Sequence, residues 1–472
     1  MKTKFTLLSI LFFAFLRAQT PYTQSVYAYD SLLNVNYGTA IDYAGNTDTL
    51  VMDIYKPHGD GNCLRPVMVL VHGGAWISGS KADVDLVYLS RNLAKKGWVV
   101  ANINYRLGTH KAANYTMYAV CNTNISAPCG YISDSSEIFR ANFRGMQDAK
   151  GAIRFMKNRN GIDSSDVNNV FIAGESAGGF IALATAFTDQ ASEKPTNCFA
   201  IANAPNPDAD MATYGCVPSP ISFARPDLGS IDGTLNIGTY DAKVKGVGNF
   251  FGGVMDRNIF QQQNDTPAVY LFAQGSDVVV NYNYGQILGR TSWECYAQTN
   301  LCQSYYFYPF AYGSEGIRQY FVSLGGNAPV YQADIVNNYN YMNNCFSNGH
   351  SIDNIQLRLQ NMVNLFSPII VASGNDPLTN CQTLSVQSPT PANTFLIYPN
   401  PTAGEIHVQL LQPMKNPTVR IYSSLGELVF EQQENSGNVQ QLNVMAQLDP
   451  GFYFISVESK EEKLTEKLMI ND

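Results

Sequence analysis

Residues 170–187 leave this chain little choice of fold. Val170 to Ala173 (VFIA) is a short run of β-formers, Gly174-Glu175-Ser176-Ala177-Gly178-Gly179 follows at once, and an apolar helical stretch, Phe180 to Phe187, comes directly after. A serine on so tight a strand-to-helix turn needs small neighbours, because the backbone is strained and larger side chains would strike the sheet. Gly174, Ala177 and Gly178 provide that room. The helix N-terminus behind Ser176 also favours negative charge developing beside it, as acyl transfer requires.

The same alternation extends on both sides. Pro66 to Val71 (PVMVLV) reads as a buried strand, Leu86 to Lys96 has helical spacing, and Gly97 to Asn104 is a second strand. Ala141 to Asn158 reads as a helix, Ala268 to Ala273 (AVYLFA) as a further strand, and Ser351 to Phe366 as a closing helix. Strand and helix in regular alternation imply an α/β domain whose mainly parallel sheet is covered on both faces.

Three further segments carry chemistry. His72-Gly73-Gly74-Ala75-Trp76 follows the strand VMVLV, and glycines there free backbone amides to face a developing oxyanion. The expected donors are the amides of Gly73, Gly74 and Ala177, with His72 bracing the loop. Of five histidines, His58, His72 and His110 precede Ser176 and His407 lies near the C-terminus, so His350, in Asn348-Gly349-His350-Ser351, is the expected general base. A carboxylate at a strand end should orient it. Asp277, in Gly275-Ser276-Asp277 straight after AVYLFA, fits best; Asp265, Asp334 and Glu315 are alternatives.

These segments, with Tyr105-Arg106-Leu107 and Asp148 ahead of Ala152-Ile153-Arg154-Phe155, resemble the α/β-hydrolase fold carboxylesterases and lipases related to the hormone-sensitive lipase and type B carboxylesterase groups. The resemblance covers about Asp53 to Phe366. It implies a serine hydrolase acting on carboxylic esters through an acyl-enzyme, with a Ser176-His350-Asp277 triad and no cofactor. The chain departs from the pattern at Ala75, where a third glycine is usual, and in offering Asp277 where the type B group usually has Glu. A serine exopeptidase on the same fold would use the same residues, and a catalytically silent adhesion module would have lost Ser176 or His350. No propeller-like repeat that would gate peptides is visible, which favours esters, either small or polymer-linked.

The long segment between Asp277 and His350 carries Tyr305-Tyr306-Phe307-Tyr308-Pro309-Phe310-Ala311-Tyr312. With its ends pinned at the active-site mouth it is expected to form a lid or wall, with Tyr306 and Tyr308 as substrate-binding candidates; a buried strand would look the same.

At the ends the chain changes character. Lys2 and Lys4 precede an apolar run, Phe5 to Leu16, too short to span a bilayer, so residues 1–18 read as a signal peptide. Residues 19–372 are the expected catalytic domain, and 373–394, rich in Ser, Thr, Asn and Pro, a linker. Residues 395–472 hold short strands between Gly and Asn-Pro turns, a small all-β sandwich. Tyr398-Pro399-Asn400-Pro401-Thr402 with Gly404, Leu425-Gly426, Leu448-Asp449-Pro450-Gly451-Phe452-Tyr453 and Lys467-Leu468 resemble the type A C-terminal sorting domain of the type IX secretion system. That resemblance implies outer-membrane secretion machinery as a partner, and a secreted or surface-attached protein that passes through the periplasm of a Gram-negative bacterium.

A net charge of −8 with no block of Lys and Arg gives no footprint for nucleic acid. An oxidising destination lets the nine cysteines pair. Cys121 with Cys129 and Cys295 with Cys302 are close in sequence, Cys198 with Cys216 and Cys345 with Cys381 are further guesses, and Cys63 is left over. No metal-ligand spacing is present, so no structural metal is expected.

Overall fold

A computed structural model describes residues 22–109, 118–119, 129–130, 135–204, 223–260, 266–290, 308–340, 349–372, 395–460 and 463–471. The chain divides into two compact units, Met1–Cys381 and Gln382–Asp472.

The first unit is built on an eight-stranded sheet. Its strands are β1 (Ala28–Ile41), β2 (Thr47–His58), β3 (Arg65–Val71), β4 (Val99–Ile103), β5 (Ser165–Glu175), β6 (Gly246–Phe250), β7 (Ala268–Gln274) and β8 (Tyr331–Val336). Their spatial order is β1-β2-β4-β3-β5-β6-β7-β8. The β1–β2 and β2–β4 pairings are antiparallel and all the others parallel. This is the α/β-hydrolase fold.

Alternation along each strand divides the core in two. On β3, Val67, Val69 and Val71 face one cluster and Met68 and Leu70 the other. The first is closed by α2 (Ser135–Asn158), α3 (Ala177–Phe187) and α4 (Ser314–Leu324), through residues such as Ile153, Phe180 and Phe321. The second is closed by α1 (Val84–Lys95) and α5 (Ile355–Ala372), through Leu89, Leu93, Met362 and Phe366. Each such side chain contributes about 1.5–3 kcal/mol on burial, so covering both faces explains why the parallel strands read as unbroken apolar runs. Helix α1 begins where the Asp83 carboxylate accepts the Asp85 amide at 2.9 Å, and it is followed by Gly97 at φ +97°.

Strand β6 (GVGNF) has no β-former pattern, and the reason is steric. A β-carbon on Gly246 would stand 2.6 Å from Phe366, and one on Gly248 2.6 Å from Met362 Sδ, so glycine lets α5 lie close on the sheet. β1 was equally hidden, because most of its side chains are exposed or half-buried at the sheet edge.

Two cysteine expectations are corrected. Cys63, taken as the odd one out, is disulfide-bonded. Cys198, expected to pair with Cys216, is a buried free thiol packed with Phe143, Met146 and Ile231, and burial pushes its pKa up to about 12. The other three pairings rest on side chains outside the described residues, as does the expected signal peptide.

The second unit packs a three-stranded and a four-stranded antiparallel sheet over one core containing Ile406, Val408, Ile421, Val444, Ile455 and Leu468. Its Asn-Pro-Thr segment ties the start of the unit to its last strand. Asn400 donates to the Lys467 carbonyl at 2.8 Å and accepts the Met469 amide at 2.9 Å, and the Thr402 amide donates to Met469 at 3.0 Å. Among the described residues no helix is long and apolar enough to cross a membrane.

Candidate active site

Ser176 stands where β5 turns into α3, at φ 52° and ψ −122°. A non-glycine residue in this region is strained, and the surroundings hold it there. The Ser176 amide donates to the Phe250 carbonyl at 2.9 Å, and the Gly179 and Phe180 amides return to the Ser176 carbonyl. A β-carbon on Gly174 would collide with the Gly178 carbonyl, and one on Gly178 with the Val71 carbonyl. The sequence motif is thus a packing requirement of strand, turn and helix.

The structure brings His350 and Asp277 to this turn from 174 and 101 residues away in sequence. His350 Nε2 lies 2.7 Å from Ser176 Oγ, and Nδ1 lies 2.8 Å from Asp277 Oδ2. The other Asp277 oxygen accepts the Val279 and Val280 amides at 2.8 and 3.0 Å, which fixes the carboxylate. Arg290 clamps the same turn by donating to the carbonyls of Gly275 and Asp277. The Phe251 ring meets the His350 ring edge to face, with centroids 4.7 Å apart.

The rival carboxylates are engaged elsewhere. Asp334 accepts from Tyr270, Asn361 and Arg358, and Glu315 is bound by Arg318 and Gln319. Asp265 lies outside the described residues.

The loop after β3 wraps over Ser176. Gly74, Ala75 and Trp76 all have positive φ, at 104°, 51° and 62°. His72 is buried, stacks on Tyr105 at 4.5 Å, and directs Nδ1 to the Gly73 carbonyl at 2.7 Å. Burial pulls its pKa down to about 4, so it is neutral and braces the loop. The Tyr105 hydroxyl donates to the His72 carbonyl at 3.2 Å. Beneath it, Arg106 and Asp148 form a buried ion pair, with the Arg106 amide on Asp148 at 2.8 Å and Nε at 2.9 Å. Trp76 Nε1 donates to Asn142 at 3.1 Å, tying the loop to α2.

One expectation, that for Tyr308, needs correction, and one of the three expected oxyanion donors has a competing acceptor nearby: the Gly73 backbone lies against the Glu175 carboxyl, where a β-carbon would stand 3.5 Å from Oε1. Gly74 and Ala177 remain as candidate donors: Ala177 opens α3, where an amide has no helical partner, and Gly74 follows a carbonyl pinned on the opposite side of its peptide plane. Tyr308, expected at the substrate wall, is 2% exposed and packed in the core with Ala311, Ile317 and Phe321. It precedes the strand Phe310–Gly313, whose Phe310 is exposed. Tyr306 lies outside the described residues.

Sequence reasoning missed a cavity of about 440 Å³ between α2 and α3, lined among others by Asn142, Met146, Phe180, Ala184 and Met255. It begins one helical turn from Ser176, at Phe180, whose ring packs edge to face on Trp76 at 5.4 Å. No sequence signal could have found it, because its walls come from separate segments. The Glu175 carboxyl was also missed, although the motif contains it.

Parts of the chain are similar to known proteins. Residues 396–471 match the family model described as Secretion system C-terminal sorting domain, and residues 52–126 match the BD-FAE family model. Over 142 residues the chain is 30% identical to human bile salt-activated lipase, covering 29% of this chain and 16% of the relative. Over 144 residues it is 33% identical to isoprenylcysteine alpha-carbonyl methylesterase of Arabidopsis thaliana, covering 30% of this chain and 26% of the relative. The chain therefore spans about a quarter or less of the length of these relatives. Among solved structures, a truncated carbohydrate esterase from gut microbiota overlays with TM-score 0.39 at 15% identity, covering 73% of this chain and 97% of that one. Esterase B from Lactobacillus rhamnosis gives TM-score 0.37 at 13% identity, covering 79% and 97%.

Proposed function

We propose that this chain is a secreted serine hydrolase that cleaves carboxylic esters through an acyl-enzyme. The observation that carries the reading is the hydrogen-bonded line Ser176–His350–Asp277, at 2.7 and 2.8 Å, on a strained strand-to-helix turn. In this reading Ser176 Oγ attacks the ester carbonyl carbon while His350 Nε2 takes its proton. The oxyanion is met by the Gly74 and Ala177 amides. His350 then gives the proton to the departing alkoxide, which leaves as the alcohol. Water repeats the sequence on the acyl-enzyme, with His350 again taking a proton, and the acid is released. Asp277 holds the imidazole tautomer and stabilises the imidazolium.

The sorting-domain match at 396–471 supports passage through outer-membrane secretion machinery of the type IX class, with a secreted or surface-attached product. The deciding experiment is a panel of nitrophenyl esters of increasing chain length beside aminoacyl anilides. Hydrolysis of the esters with inert anilides is expected; anilide turnover exceeding ester turnover would turn the reading to an exopeptidase. Failure with both, on protein that is folded, would reject the hydrolase.

A further inference from the structure

We propose that Gln274 and Asn338 are positioning residues: their side-chain amides form a one-way relay of hydrogen bonds from the turn carrying Asp277 to the loop carrying His350, and so set the reach of the imidazole toward Ser176. The inference rests on the serine-hydrolase reading and names two side chains which that reading does not use.

Gln274 is the last residue of β7 and 6% exposed. Asn338 follows the end of β8, the strand that pairs with β7. A side-chain amide as buried as that of Gln274 must find its partners inside the protein, and it has one on each side. Its Oε1 accepts Asn338 Nδ2 at 2.7 Å, and its Nε2 donates to the Ser351 carbonyl at 2.9 Å. Asn338 Oδ1 in turn accepts the Ser276 amide at 2.9 Å. The order is fixed from both ends. A backbone N–H only donates, so Ser276 selects the oxygen of Asn338. That leaves the Asn338 nitrogen for the Gln274 oxygen, and the Gln274 nitrogen for the Ser351 carbonyl, which only accepts.

The relay closes a ring around His350. Ser351, on one side of it, is held by Gln274; on the other side the Gly349 amide donates to the Ser276 carbonyl at 3.4 Å. Ser276 thus meets the histidine loop directly through its carbonyl, and through Asn338 and Gln274 by way of its amide. Asp277 is anchored at the same place, because its amide donates to the Gln274 carbonyl at 3.1 Å. The backbone of Gln274 therefore holds the acid while its side chain holds the loop of the base. Every link is neutral, so the relay aligns the imidazole without adding charge beside the Asp277–His350 pair.

The test uses the full chain and first measures the rate at which a fluorophosphonate labels Ser176. A folded wild type that takes no label would reject the serine-hydrolase reading and the relay with it; a labelled wild type whose folded variants match it would reject the relay alone. Gln274→Met keeps the length of the side chain and loses its hydrogen bonds. Its kcat for a small ester and its labelling rate should both fall about a hundredfold, the scale of a displacement of about 1 Å, with KM changed by no more than about twofold.

Asn338→Asp tests the direction of the relay. A carboxylate still accepts the Ser276 amide but offers no donor to Gln274 Oε1, so the Gln274 amide turns over and presents oxygen to the Ser351 carbonyl. Position 338 is exposed, so this variant folds and covers the case where Gln274→Met does not. Its kcat and labelling rate should fall at least about tenfold with the melting temperature changed by no more than a few degrees. Added to Gln274→Met, the same substitution should slow turnover by less than about twofold more, because the two act through one chain. Losses that multiply in the double variant would overturn the proposal.

The His350 Nδ1 proton, shared with Asp277, gives a readout that a loss of stability alone does not move. Its far-downfield resonance in the proton spectrum should shift or broaden in Asn338→Asp. A resonance unchanged in a slowed variant would contradict displacement of the imidazole.

Discussion

Gly349 packs against Ser276 so tightly that a β-carbon on Gly349 would collide with Ser276 Oγ and stand 2.8 Å from the Asp277 amide. The two loops that carry His350 and Asp277 are thus locked together by a missing side chain, and Gln274 adds a hydrogen bond to the Ser351 carbonyl at 2.9 Å.

Gly349→Ala should push His350 off Ser176 without disturbing the sheet. Displacement of a reacting group by about 1 Å costs on the order of a hundredfold in rate. Ester kcat should therefore fall about that much while the melting temperature changes by only a few degrees. Unchanged kcat would mean that the loops tolerate separation.

Buried Asp277 and half-buried Asp334 should fail in different ways. Asp277→Asn should cut turnover by about 10⁴ and leave the fold intact, because the imidazole loses its orienting carboxylate. Asp334→Asn should leave turnover nearly unchanged, yet cost about 1–3 kcal/mol in chemical denaturation as Tyr270, Asn361 and Arg358 lose an acceptor. The reverse pattern would reassign the acid.

Local motifs made the turn at Ser176 and the loop after β3 legible, since each depends on a few adjacent residues, whereas His350 was reached by elimination among five histidines and Asp277 by its place at a strand end; the structure brings the three side chains together. What stayed hidden depends on distant packing. Gly246 and Gly248 look like turn residues until Phe366 and Met362 are seen on top of them. Tyr308 was ambiguous because a wall and a buried segment share one composition, and only its packing with the core, at 2% exposure, decides between them. Cys63 was misread because spacing does not fix connectivity.

Asp148 should matter to folding and not to chemistry directly. Asp148→Ala leaves Arg106 buried without its partner, and breaking such a pair costs about 3–5 kcal/mol. Urea denaturation should show a loss of that size, with residual folded enzyme still reacting at Ser176. A loss below 1 kcal/mol would show that Arg106 finds other acceptors.

The two units should separate in function. A chain truncated after Cys381 retains every residue of the proposed mechanism, so it should hydrolyse esters when purified yet remain in the producing cell. Normal export of the truncated chain would contradict the sorting role of residues 396–471.

The central claim is that Ser176 is the nucleophile, and intact-mass and peptide analysis after fluorophosphonate treatment tests it most directly. One adduct per chain is expected, on the peptide containing Ser176, with parallel loss of ester turnover. No adduct is expected in a folded Ser176→Ala variant, whose turnover should be lower by several powers of ten. An adduct on another residue, or a Ser176→Ala variant that retains most of its turnover, would contradict it.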